Sequence, residues 1–288
     1  MTTHINSAIP HLTSVPFKIS APAMIFGHDI VENAEILAGL VDNIEIVLFH
    51  TPALNNFLSR ADVQRLAQIG RRHGVSYTVH LPDSLEIASS SAAKRAESVG
   101  QILELIESTA GIDPRHFVLH VPLTPPTLVP TPGLYLKSIA NQHWQDWLKR
   151  AIESLSTIVA ECGASADLLV ENINYSLVFL EPLVREGYCN ICLDVGHLLL
   201  GQESVMAAMR RYATQIREIH LHGIKDYRDH YSLALLPQER LTRWISHWVR
   251  TQYDGIINLE VFSPRDLFVS LELLGRTSNP RACDLSNS

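Results

Sequence analysis

The chain runs to 288 residues, 46% of them hydrophobic, long for an ordinary domain but typical of a single closed α/β barrel, which usually takes about 250. No stretch approaches the roughly 18 apolar residues of a membrane helix, and residues 1–16 carry no basic start followed by an apolar run, so a cytoplasmic protein without a signal peptide is expected. The formal net charge is −7 and Lys and Arg are spread out, which weighs against duplex DNA or RNA, because nucleic-acid affinity rests on clustered basic side chains.

In chain order, eight short apolar runs bounded by polar residues read as buried strands: Ala23 to Phe26, Ile44 to Phe49, Ser76 to His80, Phe117 to His120, Leu168 to Glu171, Ile191 to Asp194, Glu218 to His222 and Ile256 to Glu260. Each interval can hold a helix. Between the second and third runs, Ala61, Val63, Leu66, Ala67 and Ile69 recur at helical spacing up to a stop at Gly74. Between the fourth and fifth, Trp144, Trp147, Leu148, Ala151, Ile152 and Leu155 form another stripe, ended by Gly163. Trp244 and Trp248 lie one turn apart in a later helix, and all four tryptophans read as packing. Strand and helix in strict alternation are the grammar of a (β/α)8 barrel. Residues 1–288 read as one domain, with a core over about 17–275 and a flexible tail over 277–288.

Two segments break the rhythm. After His120 comes the proline-rich run 121–133, which can be neither helix nor central strand. It reads as a long loop on the C-terminal face of the barrel, either a rigid spacer or a wall of a roomy, partly apolar cleft. A second loop after His222 carries Lys225, Asp226, Arg228, Asp229 and His230. The cysteines Cys162, Cys189, Cys192 and Cys283 are few and irregular, which suits reduced thiols. Cys189 and Cys192 sit an odd number apart in a predicted strand, on opposite faces, which argues against a redox or zinc pair.

The strand ends carry the chemistry. Six runs stop at His80, His120, Glu171, Asp194, His220 and Glu260. By strand parity, Glu218, His220 and His222 share one face while Ile219 and Leu221 share the other, so the histidines point into the barrel. Three carboxylates and three imidazoles buried together would cost several kcal/mol per charge, and bound cations are the natural compensation. Mixed imidazole and carboxylate donors suit zinc, manganese, iron or cobalt. Six or more ligands exceed what one catalytic metal needs, so two metals are expected, with Glu171 as a bridge. His28 and His50 follow early strands and are candidates to look onto the same cleft.

Asp194-Val-Gly-His197 after an apolar strand, with Val-Glu171-Asn172, Ile-His220 and Leu-Glu260, resembles the xylose-isomerase-like TIM barrel superfamily, which includes the AP endonuclease family 2 proteins. The resemblance covers about residues 20–265. It implies a metal site at Glu171, Asp194, His220 and Glu260, with His80 and His120 holding another metal beside the bridging glutamate. A third metal would use a histidine like His197 and an Asp-x-His pair. This chain departs there, with Asp229 and His230 adjacent and Arg228 in place of an aspartate, and with Asp226 as an alternative partner.

Within that superfamily, Thr-Val-His80-Leu-Pro82, Cys-Leu-Asp194-Val-Gly-His197, Ile-His220-Leu-His222-Gly and Asp229-His230-Tyr-Ser-Leu233 also resemble the cobamide-remodelling phosphodiesterases. That likeness implies a phosphoric diester hydrolase with two or three divalent ions, zinc or manganese, cutting the nucleotide loop of a cobamide. Glu171, Glu260, His230 and Arg228 would then be catalytic, His80, His120, Glu171, Asp194, His197, His220, His230 and Glu260 would bind metal, and His28, Asn172 and His222 would support the ligands or substrate. The alternative is a metal-dependent sugar or cyclitol isomerase or epimerase, in which Glu171 and Glu260 exchange a proton with the substrate. An AP-site DNA endonuclease fits the charge balance less well. The expected partner is a small molecule, with no nucleic acid or membrane, and the protein is expected to be a monomer or homodimer.

Overall fold

The computed structural model describes residues 15–27, 29–51, 55–123, 141–163 and 167–278. Eight parallel strands close into a barrel: β1 (Lys18–Pro22), β2 (Asn43–Val47), β3 (Ser76–His80), β4 (Phe117–Leu119), β5 (Leu168–Glu171), β6 (Asn190–Asp194), β7 (Ile216–His220) and β10 (Ile256–Asn258). Between β7 and β10 an antiparallel pair, β8 (Gly223–Lys225) and β9 (Arg228–Tyr231), stands apart from the barrel. The helices α1 (Ile30–Leu37), α2 (Arg60–His73), α3 (Ala92–Thr109), α4 (Asn141–Cys162), α5 (Glu181–Arg185), α6 (Val195–Leu200), α7 (Val205–Arg211), α8 (Gln238–Arg250) and α9 (Pro264–Ser278) form the outer layer.

Local sequence explains these elements. Ser59 and Asp62 cap the start of α2 reciprocally, and Gly74 ends it with a φ of 73° that costs a residue without Cβ nothing. The stripe of α2 buries Val63, Leu66 and Ile69, and that of α8 buries Trp244, Ile245 and Trp248 against the barrel. Odd and even strand residues then divide: Ile44, Val79, Val170, Leu193 and Ile219 join the helix-facing core, while their neighbours point inward.

The first strand corrects the expected run. It lies at Lys18–Pro22, before Ala23 to Phe26, because the proline is tolerated at its end. The Lys18 N–H donates to Gly255, just before β10, so by alternation the donor missing at position 22 would face the Leu259 carbonyl, and that carbonyl takes the Val261 N–H instead. The loop expected after His222 is an ordered hairpin, turned by Asp226 and Tyr227 at φ 51° and 61°. Helix α9 reaches Ser278, so residues 277 and 278 are helical and the rest of the expected tail lies outside the described residues. Most of the proline-rich loop, 124–140, also lies outside them.

Inside the barrel the walls differ. Val118, Leu169 and Cys192 form a small apolar cluster from β4, β5 and β6. Cys189 packs in the outer core instead, so the two cysteines part as strand parity required. The remaining strands contribute Ser20, Asn43, Glu45, Thr78, Glu218 and Asn258, all fully buried. Asn43 donates to Ser20 and Thr78 at 3.0 and 3.1 Å, and Asn258 donates to Glu45 Oε2 at 2.6 Å.

Candidate metal centre

Each metal-ligand candidate sits where its strand runs out at the C-terminal mouth. Neighbouring strands β5, β6, β7 and β10 bring Glu171, Asp194, His220 and Glu260 together in one arc, with a donor atom of each within 4.8 Å of the others. His220 Nδ1 lies 3.4 Å from Glu171 Oε2 and 3.2 Å from Glu260 Oε2. A second group, His80, Asp83 and His120, adjoins it through Glu171. His80 Nε2 and His120 Nε2 stand 3.3 and 3.2 Å from Glu171 Oε2, and His197 Nδ1 stands 3.3 Å from Oε1. Glu171 is therefore faced by four imidazoles.

The tautomers suit ligation. His80 directs Nδ1 at the Leu81 carbonyl, 2.9 Å away, leaving Nε2 for the centre. His120 turns Nδ1 to Asp83 Oδ1 at 3.1 Å and Nε2 inward. Glu260 Oε2, His220 Nδ1 and His120 Nε2 are buried without a hydrogen-bond partner among the described residues. Orphaned donor atoms of two kinds converging on one spot fit a divalent cation.

Asp194 is supported from three sides. Its main-chain N–H donates to Asn172 Oδ1 and its carbonyl accepts from Asn172 Nδ2, both at 2.9 Å. Oδ1 caps α6 by accepting the His197 N–H. His222 accepts the His230 N–H on Nδ1 at 3.0 Å, so its Nε2 carries the proton that Asp194 Oδ2 accepts at 2.9 Å. Asn172 and His222 thus hold Asp194 in place, the contacts that would orient a metal ligand. Gly196 makes this possible, since a Cβ there would stand 2.0 Å from His222 Cε1.

Burial would raise the Glu171 carboxyl, yet the charges of His220 and His120 and the close approach of the His120 and His197 rings hold it well below the usual carboxylate range. Burial would lower His80, but its contact with Glu171 and the charges of Glu45, Glu171 and Asp83 lift it to about 10. His220 rises well above its ordinary value for the same reason, burial being outweighed by charges that include Glu260 and Glu171. These protons stand in for the positive charge that the carboxylates require.

The hairpin brings one more pair to the rim. Asp229 lies 3.4 Å from His197 Nε2 and 3.5 Å from His230 Nε2, so Asp229 is the partner and Asp226, exposed in the turn, is not. His230 also directs Nδ1 at the Glu260 carbonyl at 3.2 Å. Arg228 and Lys225 stand exposed opposite one another on the hairpin, away from the role of neutralising charge at the centre. His50 is exposed and packs on Phe57 rather than entering the cluster, and His28 lies outside the described residues. Sequence reading missed Asp83, which follows the Leu-Pro turn after His80, and Glu45, an acidic residue in mid-strand. The available signal for Glu45 was parity, since Asn43, Glu45 and Val47 alternate with Ile44 and Ile46.

A model of the xylose isomerase-like TIM barrel family matches residues 38–279. No curated protein sequence matches the chain. Among solved structures, a D-tagatose 3-epimerase-like protein superposes with a TM-score of 0.74 at 19% identity, covering 94% of this chain and 100% of that one. A 3-keto-D-glucoside 4-epimerase from E. coli gives 0.68 at 15% identity, with 91% and 99% covered. A D-psicose 3-epimerase from Clostridium cellulolyticum H10 gives 0.63 at 16% identity, with 94% and 98% covered. These neighbours are sugar epimerases, and they overturn the expectation of a phosphoric diester hydrolase acting on a cobamide. The physical reason lies in the motifs that suggested it. Asp194, Gly196, His197 and His222 build and support a candidate metal site, an arrangement that can serve many chemistries on one barrel.

Proposed function

The chain belongs to the xylose isomerase-like TIM barrel family, and from that premise we propose that it is a metal-dependent sugar epimerase or isomerase, with a ketose or a keto-cyclitol as substrate. One observation carries the reading: the arc over β5, β6, β7 and β10 begins and ends with a glutamate, Glu171 and Glu260, with Asp194 and His220 between them. A substrate laid across that arc has a carboxylate at each end. The neighbours named as tagatose, psicose and keto-glucoside epimerases support the same substrate class.

A divalent cation held by Glu171, Asp194, His220 and Glu260 would polarise a carbonyl and an adjacent hydroxyl oxygen, making the neighbouring C–H acidic. One glutamate takes that proton, the electron pair moves into an enediolate, and the other returns a proton from the opposite face, inverting the carbon. Burial would raise the Glu260 carboxyl, but His220 and His230 hold it down, so it is available as a base. His197, Asp229 and His230 line the rim and hydrogen-bond the remaining hydroxyls. His80, Asp83 and His120 take a second cation beside Glu171, and zinc or manganese suits both donor sets.

Protein loaded with manganese or zinc, incubated in heavy water with a panel of ketoses and keto-cyclitols, should yield an epimer or isomer carrying deuterium at the reacting carbon, read by NMR. Chelation should abolish the exchange. Glu171→Gln and Glu260→Gln should each reduce turnover by about 100-fold or more, the scale of a lost acid–base group. Absence of exchange across the whole panel with metal-loaded protein sinks the proposal.

A further inference from the structure

Glu45 is the hardest side chain in the barrel to explain by packing. It stands in the middle of β2, fully buried, three strands around the ring from His220. A carboxylate in such a place is costly unless its oxygens are engaged. Oε2 accepts the Asn258 amide at 2.6 Å, and Asn258 lies on β10 two residues before Glu260. Oε1 faces His220 Nε2 at 3.2 Å. Neither of these two atoms has a hydrogen-bond partner among the described residues, and Glu218 Oε1 stands farther off, 4.0 Å from Nε2.

His220 therefore has two distinct edges. Nδ1 looks up at Glu171 and Glu260, and Nε2 looks down into the barrel at Glu45. An imidazole that gives a lone pair to a cation on one nitrogen must carry its proton on the other, and that N–H needs an acceptor when it is buried. Glu45 Oε1 is the nearest carboxylate oxygen to that edge.

We propose that Glu45 is a positioning residue of the metal centre: it holds the His220 ring with the proton on Nε2 and Nδ1 directed at the cation, while Asn258 fixes the carboxylate. The inference rests on the reading of His220 as a ligand. Asn258 ties the device to the strand that supplies Glu260, so the two ligands at one end of the arc share a single support from below.

The experiment compares Glu45→Gln, Glu45→Leu and His220→Ala with the wild-type chain. Metal affinity is measured by competition with a chelator, and the visible spectrum is recorded with cobalt(II) in the site. Glu45→Gln should weaken affinity about 10-fold and Glu45→Leu up to about 100-fold, the range for losing such a support. Both should shift the cobalt spectrum while leaving the circular dichroism of the metal-free fold unchanged. A purely structural role would lower the melting point and leave affinity and spectrum where they were, and that result overturns the proposal. If His220→Ala binds metal as the wild type does, the metal-site reading itself fails; if His220→Ala loses affinity and the Glu45 variants do not, only the present inference fails. Should the variants not fold, ¹⁵N-histidine NMR of the zinc-loaded wild type decides: metal on His220 Nδ1 with a protonated Nε2 supports the inference, and metal on Nε2 overturns it.

Discussion

Glu171 and Asp194 stand over an apolar floor, whereas His220 and Glu260 stand over a polar one. Two residues earlier on each strand, and so one layer down, the first pair has Leu169 and Cys192, the second Glu218 and Asn258. Over the apolar half nothing beneath can hold a ligand, so support comes from the side: Asn172, His222 and the α6 cap hold Asp194, and imidazoles surround Glu171. Over the polar half the support rises from below, through Glu45. The proposed metal centre would thus be braced in two ways, and each can be removed separately.

The lateral brace should be the more sensitive. In Gly196→Ala the new Cβ would meet His222 Cε1 at 2.0 Å, and both groups are buried, so the ring must move off Asp194. Metal affinity should fall by about 100-fold, the upper end for loss of a supporting hydrogen bond. Overpacking should also cost about 1–3 kcal/mol in unfolding free energy. Chelator competition and urea unfolding measure the two. Wild-type affinity in this variant would show that Asp194 does not depend on its neighbours, and the contrast between the two halves would collapse.

The polar half has its own signature in pH. Burial, and after it the charge of Glu45, pushes the Glu218 carboxyl up from 4.5 to about 8. Between those values the folded chain keeps a proton that the unfolded chain has released. Metal-free protein should therefore lose stability from this group as pH rises through that window, by up to about 1.4 kcal/mol per pH unit. Glu218→Gln removes the contribution, so the wild type should become less stable relative to the variant between about pH 5.5 and pH 7.5 in urea unfolding of the metal-free forms. Parallel curves would mean that the polar floor carries its charge freely.

These contrasts also separate what was legible in the amino-acid order from what was not. Ligands at strand ends could be read because a polar residue that closes an apolar run breaks the pattern visibly, as His80, Glu171 and Asp194 do. Asn172 and His222 were legible through their positions beside those ligands. Glu45 was not, because its partner lies 175 residues away on β7 and is brought near only by ring closure. The displacement of β1 has a local cause, a proline whose missing donor happens to face a carbonyl satisfied elsewhere. The choice of chemistry was misjudged for another reason. The hydrolase was implied by a likeness of motifs that runs through His80, yet His80 and His120 converge on Glu171, which the sugar reading also uses.

The smallest effect should come from Cys192, and it tests whether the apolar floor is inert. The Cys192 sulfur lies close enough to Glu171 and His220 to complete a ligand set with them. Burial pushes its thiol well above the ordinary range, so in the metal-free protein it remains a neutral, apolar side chain packed with Val118 and Leu169. A cation can nevertheless deprotonate a thiol that coordinates it, and that would turn part of the apolar half into a ligand. If the floor is only a floor, Cys192→Ala costs about 1 kcal/mol for the small cavity, and metal affinity stays within about threefold of wild type, a shift of well under 1 kcal/mol. Cobalt-loaded wild-type protein should then lack the near-ultraviolet charge-transfer band of a thiolate. A band that is present in the wild type and lost in Cys192→Ala, with affinity down more than about tenfold, would put sulfur in the first coordination sphere. The two halves of the barrel would then differ in which donors they supply, and lateral bracing would no longer be the reason that Asp194 and Glu171 hold their places.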